Sequence, residues 1–106
     1  MEVRKISANE TYPLRLKVLW PHKKTEENCT MEGDNLPENF HLGVFNEQGK
    51  LITIASFVDD LHPQFSDTNQ FRLRAMATDP NYKGSGAGSL LLNEAFVLLK
   101  QMKVNI

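Results

Sequence analysis

The stretch Tyr-Lys-Gly-Ser-Gly-Ala-Gly-Ser at residues 82–89 decides how this chain is organised. Its three glycines alternate with small residues, just after Asp79-Pro80 and just before apolar residues at helical spacing. Residues 71–78 upstream are apolar and strand-like, so the order is strand, Gly-rich turn, helix. Backbone N–H groups and the positive end of the helix dipole meet at such a turn and favour an anion there. The stretch therefore predicts a loop that holds a phosphate or pyrophosphate.

The elements on either side of this loop can be predicted from hydrophobic periodicity. Residues 71–78 alternate as a strand, and Asp79-Pro80 ends it as a turn. One face of that strand is expected to carry Phe71, Leu73, Ala75 and Ala77. A helix is predicted from about residue 85 to 103, with an apolar stripe that consists of Leu91, Leu92, Ala95, Leu99 and Met102.

The first half of the chain predicts a strand, a helix, a long loop and a hairpin. The strand covers residues 3–7, and the helix is capped by Asn9 or Thr11, has Pro13 in its first turn and ends at Pro21. Residues 22–38 are polar and irregular, so we expect mainly a loop. The hairpin strands cover residues 39–47 and 50–60, joined by a turn with Gly49. The phenylalanines at positions 45, 57, 71 and 96 are assigned to the core.

Composition narrows the class of protein. The chain has 106 residues, 41% hydrophobic and 24% charged, which is typical of one soluble domain. Its net charge of −1 gives no reason to expect nucleic acid or an anionic membrane as a partner. One cysteine, no apolar leader and no run of membrane-spanning length favour a cytoplasmic protein. The three histidines and Cys29 lack metal-ligand spacing, so no metal is expected.

Two familiar phosphate loops do not fit the residues of the Gly-rich stretch. A P-loop ends in Gly-Lys-Ser/Thr, whereas Gly88 is followed by Ser89 and Leu90. A dinucleotide fingerprint needs a third glycine where Ser89 stands, and a later acidic residue and strand.

The order strand, Asp79-Pro80, Gly-rich loop and helix resembles the acetyl-CoA-binding segment of the GNAT family of N-acetyltransferases. That family's signature is Gln/Arg-x-x-Gly-x-Gly/Ala, matched by Gly86 and Gly88, while Lys83 stands where Gln or Arg is usual. The specific match covers about 20 residues, but the order of elements follows the family over most of the chain. The resemblance implies an α/β (α+β) fold, with a mixed, mostly antiparallel sheet flanked by helices, as a single domain over residues 1–106.

The resemblance also implies acetyl-CoA as cosubstrate and an unknown amine as acceptor. The pantetheine arm would pair with the strand backbone at Met76, Ala77 and Thr78. The pyrophosphate would lie on the loop, where the binding residues are expected to be Lys83, Gly84, Ser85, Gly86, Ala87, Gly88 and Ser89. The oxyanion donor would be a backbone N–H near residues 76–78.

The catalytic groups are not identified by the sequence. Asp59, Asp60 and Glu47 are weak candidates for a general base, and solvated surface charge explains each of them more simply. The family's usual acid is a tyrosine on a helix beyond residue 106, so no tyrosine is carried over.

By the same resemblance the chain covers the N-terminal two-thirds of the fold and stops after the helix that follows the loop. A shortened gene product, completion by a second copy, and a minimal acyl-CoA binder all remain open. We expect a homodimer, because a sheet cut there has an open edge. Two functions are therefore carried forward: an N-acetyltransferase, and a non-catalytic acyl-CoA-binding or self-associating module.

Overall fold

In the part of the chain that the structure describes, four strands form one antiparallel sheet in the order β1-β2-β3-β4. The structure is a computed structural model that describes residues 1–59 and 71–101. The strands are β1 (Glu2–Ile6), β2 (Phe40–Phe45), β3 (Leu51–Asp59) and β4 (Phe71–Thr78). The helices are α1 (Ala8–Leu14), which continues as a π turn over Arg15–Leu19, and α2 (Ala87–Gln101). Short 3-10 turns cover Pro21–Lys23, Glu26–Cys29 and Pro80–Tyr82. The predicted mixed fold with an antiparallel sheet is confirmed.

Helix α1 begins earlier than its sequence suggested. Ser7 is the N-cap, and the Glu10 carboxylate accepts the Ser7 backbone N–H at 3.1 Å. The prediction that Asn9 or Thr11 caps the helix is therefore wrong, and Pro13 lies inside the helix rather than in its first turn. Proline has no N–H for the regular helical bond. The chain then widens into the π turn, in which the Trp20 N–H reaches the Arg15 carbonyl at 2.8 Å, before Pro21 ends it.

The β2–β3 hairpin is confirmed, with slightly shorter strands than predicted. Its turn is held by the Asn46 side chain, whose Oδ1 accepts the backbone N–H groups of Gln48 at 3.0 Å and Lys50 at 2.9 Å. Gly49 has a φ of +79°, a conformation that glycine adopts without strain. Asn46 and Gly49 thus fix the turn, and both are residue types that hairpin turns favour.

A β-bulge interrupts β4, although its bounds match the prediction. Ala77 lies opposite Ile54 and Arg74 lies opposite Ser56, so two residues of β4 face one residue of β3. Ala75, within the bulge, has a φ of +54°. The predicted face is therefore wrong: Phe71, Leu73 and Met76 pack on the core beneath α2, whereas Ala77 joins Leu14 and Ile54 on the opposite side.

Helix α2 covers one face of the sheet through the predicted stripe. Ala87, Leu91, Ala95 and Leu99 are buried, and they pack with Phe57 and other residues of β2 and β3. The helix begins at Ala87, two residues later than predicted, and Met102 lies outside the described residues. Phe96 is 56% exposed, so its assignment to the core is wrong.

Candidate functional site

The Gly-rich loop and the first turn of α2 enclose an open cavity of about 550 Å³. It is lined by Thr78 at the end of β4, by Tyr82 and by residues 83–89. Gly84 and Gly86 have φ angles of +79° and +86°, and a Cβ added to either would meet nothing within 4 Å. The backbone is therefore bare on the side that faces the cavity, where a ligand can approach closely.

The start of α2 supplies hydrogen-bond donors to this cavity. The first N–H groups of a helix have no carbonyl acceptor in the preceding turn. Here Leu90 donates to the Gly86 carbonyl at 3.0 Å, and Ala87 reaches only the Ser85 hydroxyl at 3.4 Å. Gly88 and Ser89 follow at the helix start and line the cavity. With the positive end of the helix dipole, this arrangement suits an anion.

Asp79 fixes the loop to the sheet. Its backbone N–H bonds to the Ile52 carbonyl at 2.8 Å, and its Oδ1 accepts the Asn81 N–H at 3.0 Å. Its Oδ2 lies 3.2 Å from Lys17 Nζ and 3.6 Å from Lys50 Nζ. The Asn81 hydrogen bond and the two ammonium groups hold the pKa of the Asp79 carboxyl below its usual range, against the opposing effect of burial. No sequence pattern predicts that Lys17 and Lys50 contact Asp79, because the two lysines lie in separate parts of the chain.

Eight of the ten residues predicted to bind the cosubstrate line this one cavity. Met76 and Ala77 do not. Ala77 is buried among core residues, and Met76 packs towards α2, where a Cβ added at Gly88 would lie 3.3 Å from Met76 Cε. Any contact that Met76 or Ala77 makes with a ligand would therefore use the backbone. Tyr82 also lines the cavity, although no sequence pattern assigns it a binding role.

Of the two predicted general-base candidates that the structure describes, Asp59 lies far from the loop and Glu47 lies beside it. Asp59 lies opposite Phe71 at the far end of β3, five residues and therefore about 16 Å along the strand from Met76, at ~3.3 Å per residue. Its buried Oδ1 finds no hydrogen-bond partner within residues 1–59 and 71–101. Glu47 is exposed in the β2–β3 turn, and it lines a cavity of about 210 Å³ together with Tyr82 and Ser85, next to the loop. Asp60 lies outside the described residues.

Comparison with known proteins places this loop and fold in a family. The sequence profile described as the Acetyltransferase (GNAT) family matches residues 4–106. The chain belongs to the GNAT family. It is 41% identical over 95 residues to the uncharacterized N-acetyltransferase YitI of Bacillus subtilis strain 168. That match covers 90% of this GNAT chain and 62% of the relative, so the chain spans about three-fifths of the relative's length.

Solved structures confirm the fold at low sequence identity. The ribosomal-protein-alanine N-acetyltransferase of Brucella melitensis biovar Abortus 2308 superposes with a TM-score of 0.76 at 13% identity, covering 98% of this chain and 75% of that one. An aminoglycoside 6'-N-acetyltransferase complexed with coenzyme A superposes with a TM-score of 0.70 at 14% identity, covering 95% and 56%. The GNAT fold predicted from the loop is thus confirmed.

On the opposite face of the sheet, this GNAT chain buries a polar network that the sequence did not reveal. Arg15 is fully buried and forms a two-pronged ion pair with Asp34, with N–O distances of 2.8 and 2.9 Å. Its guanidinium also donates to the Cys29 carbonyl and the Ser56 hydroxyl, each at 2.9 Å. Arg15 Nε finds no partner in the described parts of the chain. The network ties the π turn to the long loop and to β3.

His41 closes this network between β2 and the loop. Its Nε2 lies 2.9 Å from the Asp34 carbonyl, so Nε2 must carry a hydrogen, because a carbonyl oxygen can only accept. Its Nδ1 lies 2.7 Å from the Ser56 hydroxyl. No sequence pattern foretells these contacts, since the partners stand 7 to 41 positions apart.

We expect the stability of this chain to fall in acid through Asp34. Burial by itself raises the pKa of the Asp34 carboxyl, but hydrogen bonds from Arg15 and the Met31 N–H, with the Arg15 charge, outweigh it and hold that pKa below its usual value. Asp34 therefore contributes stability above the unfolded-state pKa of about 3.9, and this contribution is lost as pH falls towards the lower folded pKa. Urea unfolding between pH 7 and pH 3 measures it. Asp34→Asn should flatten the acid limb, and an unchanged limb would contradict the assignment.

Proposed function

We propose that this chain is part of an acetyl-CoA-dependent N-acetyltransferase that acts on an unidentified amine. The observation that carries the proposal is the loop cavity, where bare backbone at Gly84 and Gly86 meets the start of α2. The family relative from Bacillus subtilis is named an N-acetyltransferase, and one structural neighbour contains coenzyme A. A pyrophosphate fits this cavity in size and charge, because the loop offers both space and unpaired N–H donors.

Within this proposal each part of the site has a distinct role. Gly84, Gly86 and the helix start bind the pyrophosphate, and Lys83 supplies a mobile positive charge at the rim. The exposed edge of β4 around residues 76–78 pairs with the pantetheine amides. The bulge at Ala75 takes one backbone N–H of β4 out of the ladder with β3, and a donor of that kind stabilises the charge that develops on a carbonyl oxygen.

Acetyl-CoA, when bound, supplies an acetyl group whose bond to sulfur breaks as a bond to the acceptor nitrogen forms. The amine gives up one proton, and the leaving thiolate gains one. The chain's contribution is to hold the thioester at the β4 bulge and to exclude other orientations. Within the described residues no group of three His, Cys, Asp or Glu side chains is arranged to hold a metal ion.

We also propose that residues 1–106 form one acyl-CoA-binding domain that self-associates as a homodimer. Two features support the dimer: β4 is an edge strand of the described sheet, of which the pantetheine is proposed to use only residues 76–78, and α2 exposes Phe96 and Val97. Sedimentation at micromolar concentration tests the homodimer, and a clean monomer would contradict it.

A cytoplasmic location is proposed from the free, buried Cys29. None of the described helices is both long and apolar enough to cross a bilayer.

Two measurements test the proposed function. In a thermal-shift titration, acetyl-CoA should raise the midpoint of unfolding in a concentration-dependent way, because a ligand that binds only the folded state stabilises it. The absence of any shift at millimolar acetyl-CoA would refute both the enzyme and the acyl-CoA-binding alternative. Release of free thiol with a panel of small amines and peptide N-termini then separates the two, since a binding module gives a shift without thiol.

A further inference from the structure

Arg74 lies on β4 immediately before the bulge. It is paired with Ser56 of β3, and its neighbour Leu73 packs on the core beneath α2. Because side chains alternate along a strand, Arg74 and Ser56 share the other face of the sheet, where the Ser56 hydroxyl accepts a hydrogen bond from Arg15. Arg74 is partly exposed. Its side chain therefore lies between the buried polar network and solvent, one residue from Ala75.

The positive charge of Arg74 is not neutralised within residues 1–59 and 71–101. Arg4 and Arg15 pair with carboxylates at 2.9 and 2.8 Å, whereas the Arg74 side chain forms no hydrogen bond or ion pair with the described residues. The Asp34 carboxylate, in the same network as Ser56, is already held by both prongs of the Arg15 guanidinium. A guanidinium that is partly removed from water is stabilised by an anion, and its planar fork matches a carboxylate or a phosphate. Arg74 is thus available to an anion from outside the chain.

The bulge beside Arg74 is where the thioester is proposed to lie, so this inference rests on the proposed function. Ala75 has a φ of +54°, and at this point one backbone N–H of β4 leaves the ladder with β3. If the thioester carbonyl lies at that N–H, the acceptor nitrogen must approach the same carbonyl carbon. Arg74 and Ala75 are adjacent, with their Cα atoms about 3.8 Å apart. A group that lies a few bonds from the acceptor nitrogen can therefore reach the Arg74 guanidinium.

We propose that Arg74 binds an anionic group of the acceptor, and that the acceptor is a small primary amine that carries a carboxylate or a phosphate ester. Two parallel hydrogen bonds to the guanidinium fix both the distance and the direction of the anion. They also orient the amine nitrogen towards the thioester, which lowers the entropic cost of the reaction. An amine without an anionic group loses this contact. Arg74 is then a residue that sets the acceptor specificity, and it has no part in binding coenzyme A.

Isothermal titration calorimetry with three short amines tests this inference. The amines are β-alanine, aminoethyl phosphate and ethanolamine, which carry a carboxylate, a phosphate ester and a neutral hydroxyl. The protein is first saturated with coenzyme A, so that amine binding is measured without turnover. The unaltered protein should bind at least one anionic amine roughly 10- to 100-fold more tightly than ethanolamine, the range expected for hydrogen bonds to a charged group. The tighter of the two anionic amines identifies the site as one for carboxylate or for phosphate.

Variants of the two arginines on β4 separate this role from general charge attraction. Arg74→Met should abolish the preference by weakening the anionic amines alone. Arg74→Lys should retain part of it, because an ammonium group attracts an anion but lacks the two-pronged fork. Arg72→Met is the matched control, since it removes a positive charge from the same strand, two residues from Arg74. Arg72→Met should leave the preference unchanged, and all three variants should bind acetyl-CoA as the unaltered protein does.

Three outcomes would overturn the inference. They are equal binding or no binding of the three amines by the unaltered protein, a preference that survives Arg74→Met, and an equal loss of preference in Arg72→Met. Each of them leaves the proposed function intact as long as acetyl-CoA still raises the midpoint of thermal unfolding. If acetyl-CoA produces no such shift in the unaltered protein, the proposed function fails and this inference fails with it.

Discussion

Gly86→Leu should reduce the affinity for acetyl-CoA by at least about 100-fold. The φ of +86° points the new side chain into the open space over the loop, where nothing in the described chain lies within 4 Å of a Cβ. That space is where the pyrophosphate is proposed to bind, so the leucine would collide with it. A non-glycine residue at this φ also costs about 1–2 kcal/mol of folding free energy, which is too little to unfold an otherwise stable domain.

Gly49→Leu is the matched control for this change. Gly49 has a φ of +79°, and a Cβ there also meets nothing within 4 Å, but the residue lies in the hairpin turn. Both variants should lose similar stability in urea, whereas only Gly86→Leu should lose ligand binding in calorimetry. If the two variants bind acetyl-CoA equally well, the loop is not the pyrophosphate site.

Arg15→Met should destabilise the fold by about 3–5 kcal/mol. The substitution leaves the Asp34 carboxylate buried without its cation, and a buried charge that has lost its partner is costly. The Cys29 carbonyl and the Ser56 hydroxyl lose a donor as well. For a domain of this size the midpoint of thermal unfolding should fall by more than about 10 °C.

Arg4→Met provides the comparison, because Arg4 pairs with Glu2 at a similar distance of 2.9 Å but on the surface. That exposed pair should contribute less than about 1 kcal/mol. The double variant Arg15→Met, Asp34→Leu should recover part of the loss, since it removes both buried charges. Equal destabilisation by Arg15→Met and Arg4→Met would show that the buried ion pair contributes no more to the free energy of unfolding than the exposed one.

The loop, the hairpin and the helix that follows could be predicted because each has a local signature. Each signature depends only on residues that are close together along the chain. They are the glycines at 84 and 86, the turn from Asn46 to Gly49, and the apolar stripe Leu91, Ala95 and Leu99. The features that the sequence did not reveal depend on residues far apart along the chain. Arg15 meets Asp34 and Ser56 only after folding, and Lys17 and Lys50 meet only at Asp79.

The errors also have local physical causes. The sequence pattern predicts Pro13 in the first turn of α1, but the capping interaction of Ser7 and Glu10 starts the helix at Ala8, five residues before the proline. The prediction that Phe96 lies in the core rests on its residue type alone, whereas its neighbour Ala95 occupies the buried position on α2. In both cases the residue type alone predicts a position, and the position of the helix along the chain decides that a different residue occupies it.

The bulge at Ala75 acts as a phase shift within a single strand. Before it, odd-numbered residues such as Phe71 and Leu73 face α2, and after it the even-numbered Met76 does so. Residues at both ends of β4 can therefore pack against the same helix, α2. The strand still ends at Thr78, from which the chain continues into the loop. A β-branched residue at position 75 would resist the left-handed backbone there and favour an unbroken alternation. The last residues of the strand would then exchange faces, and the Gly-rich loop would start from the wrong side of the sheet.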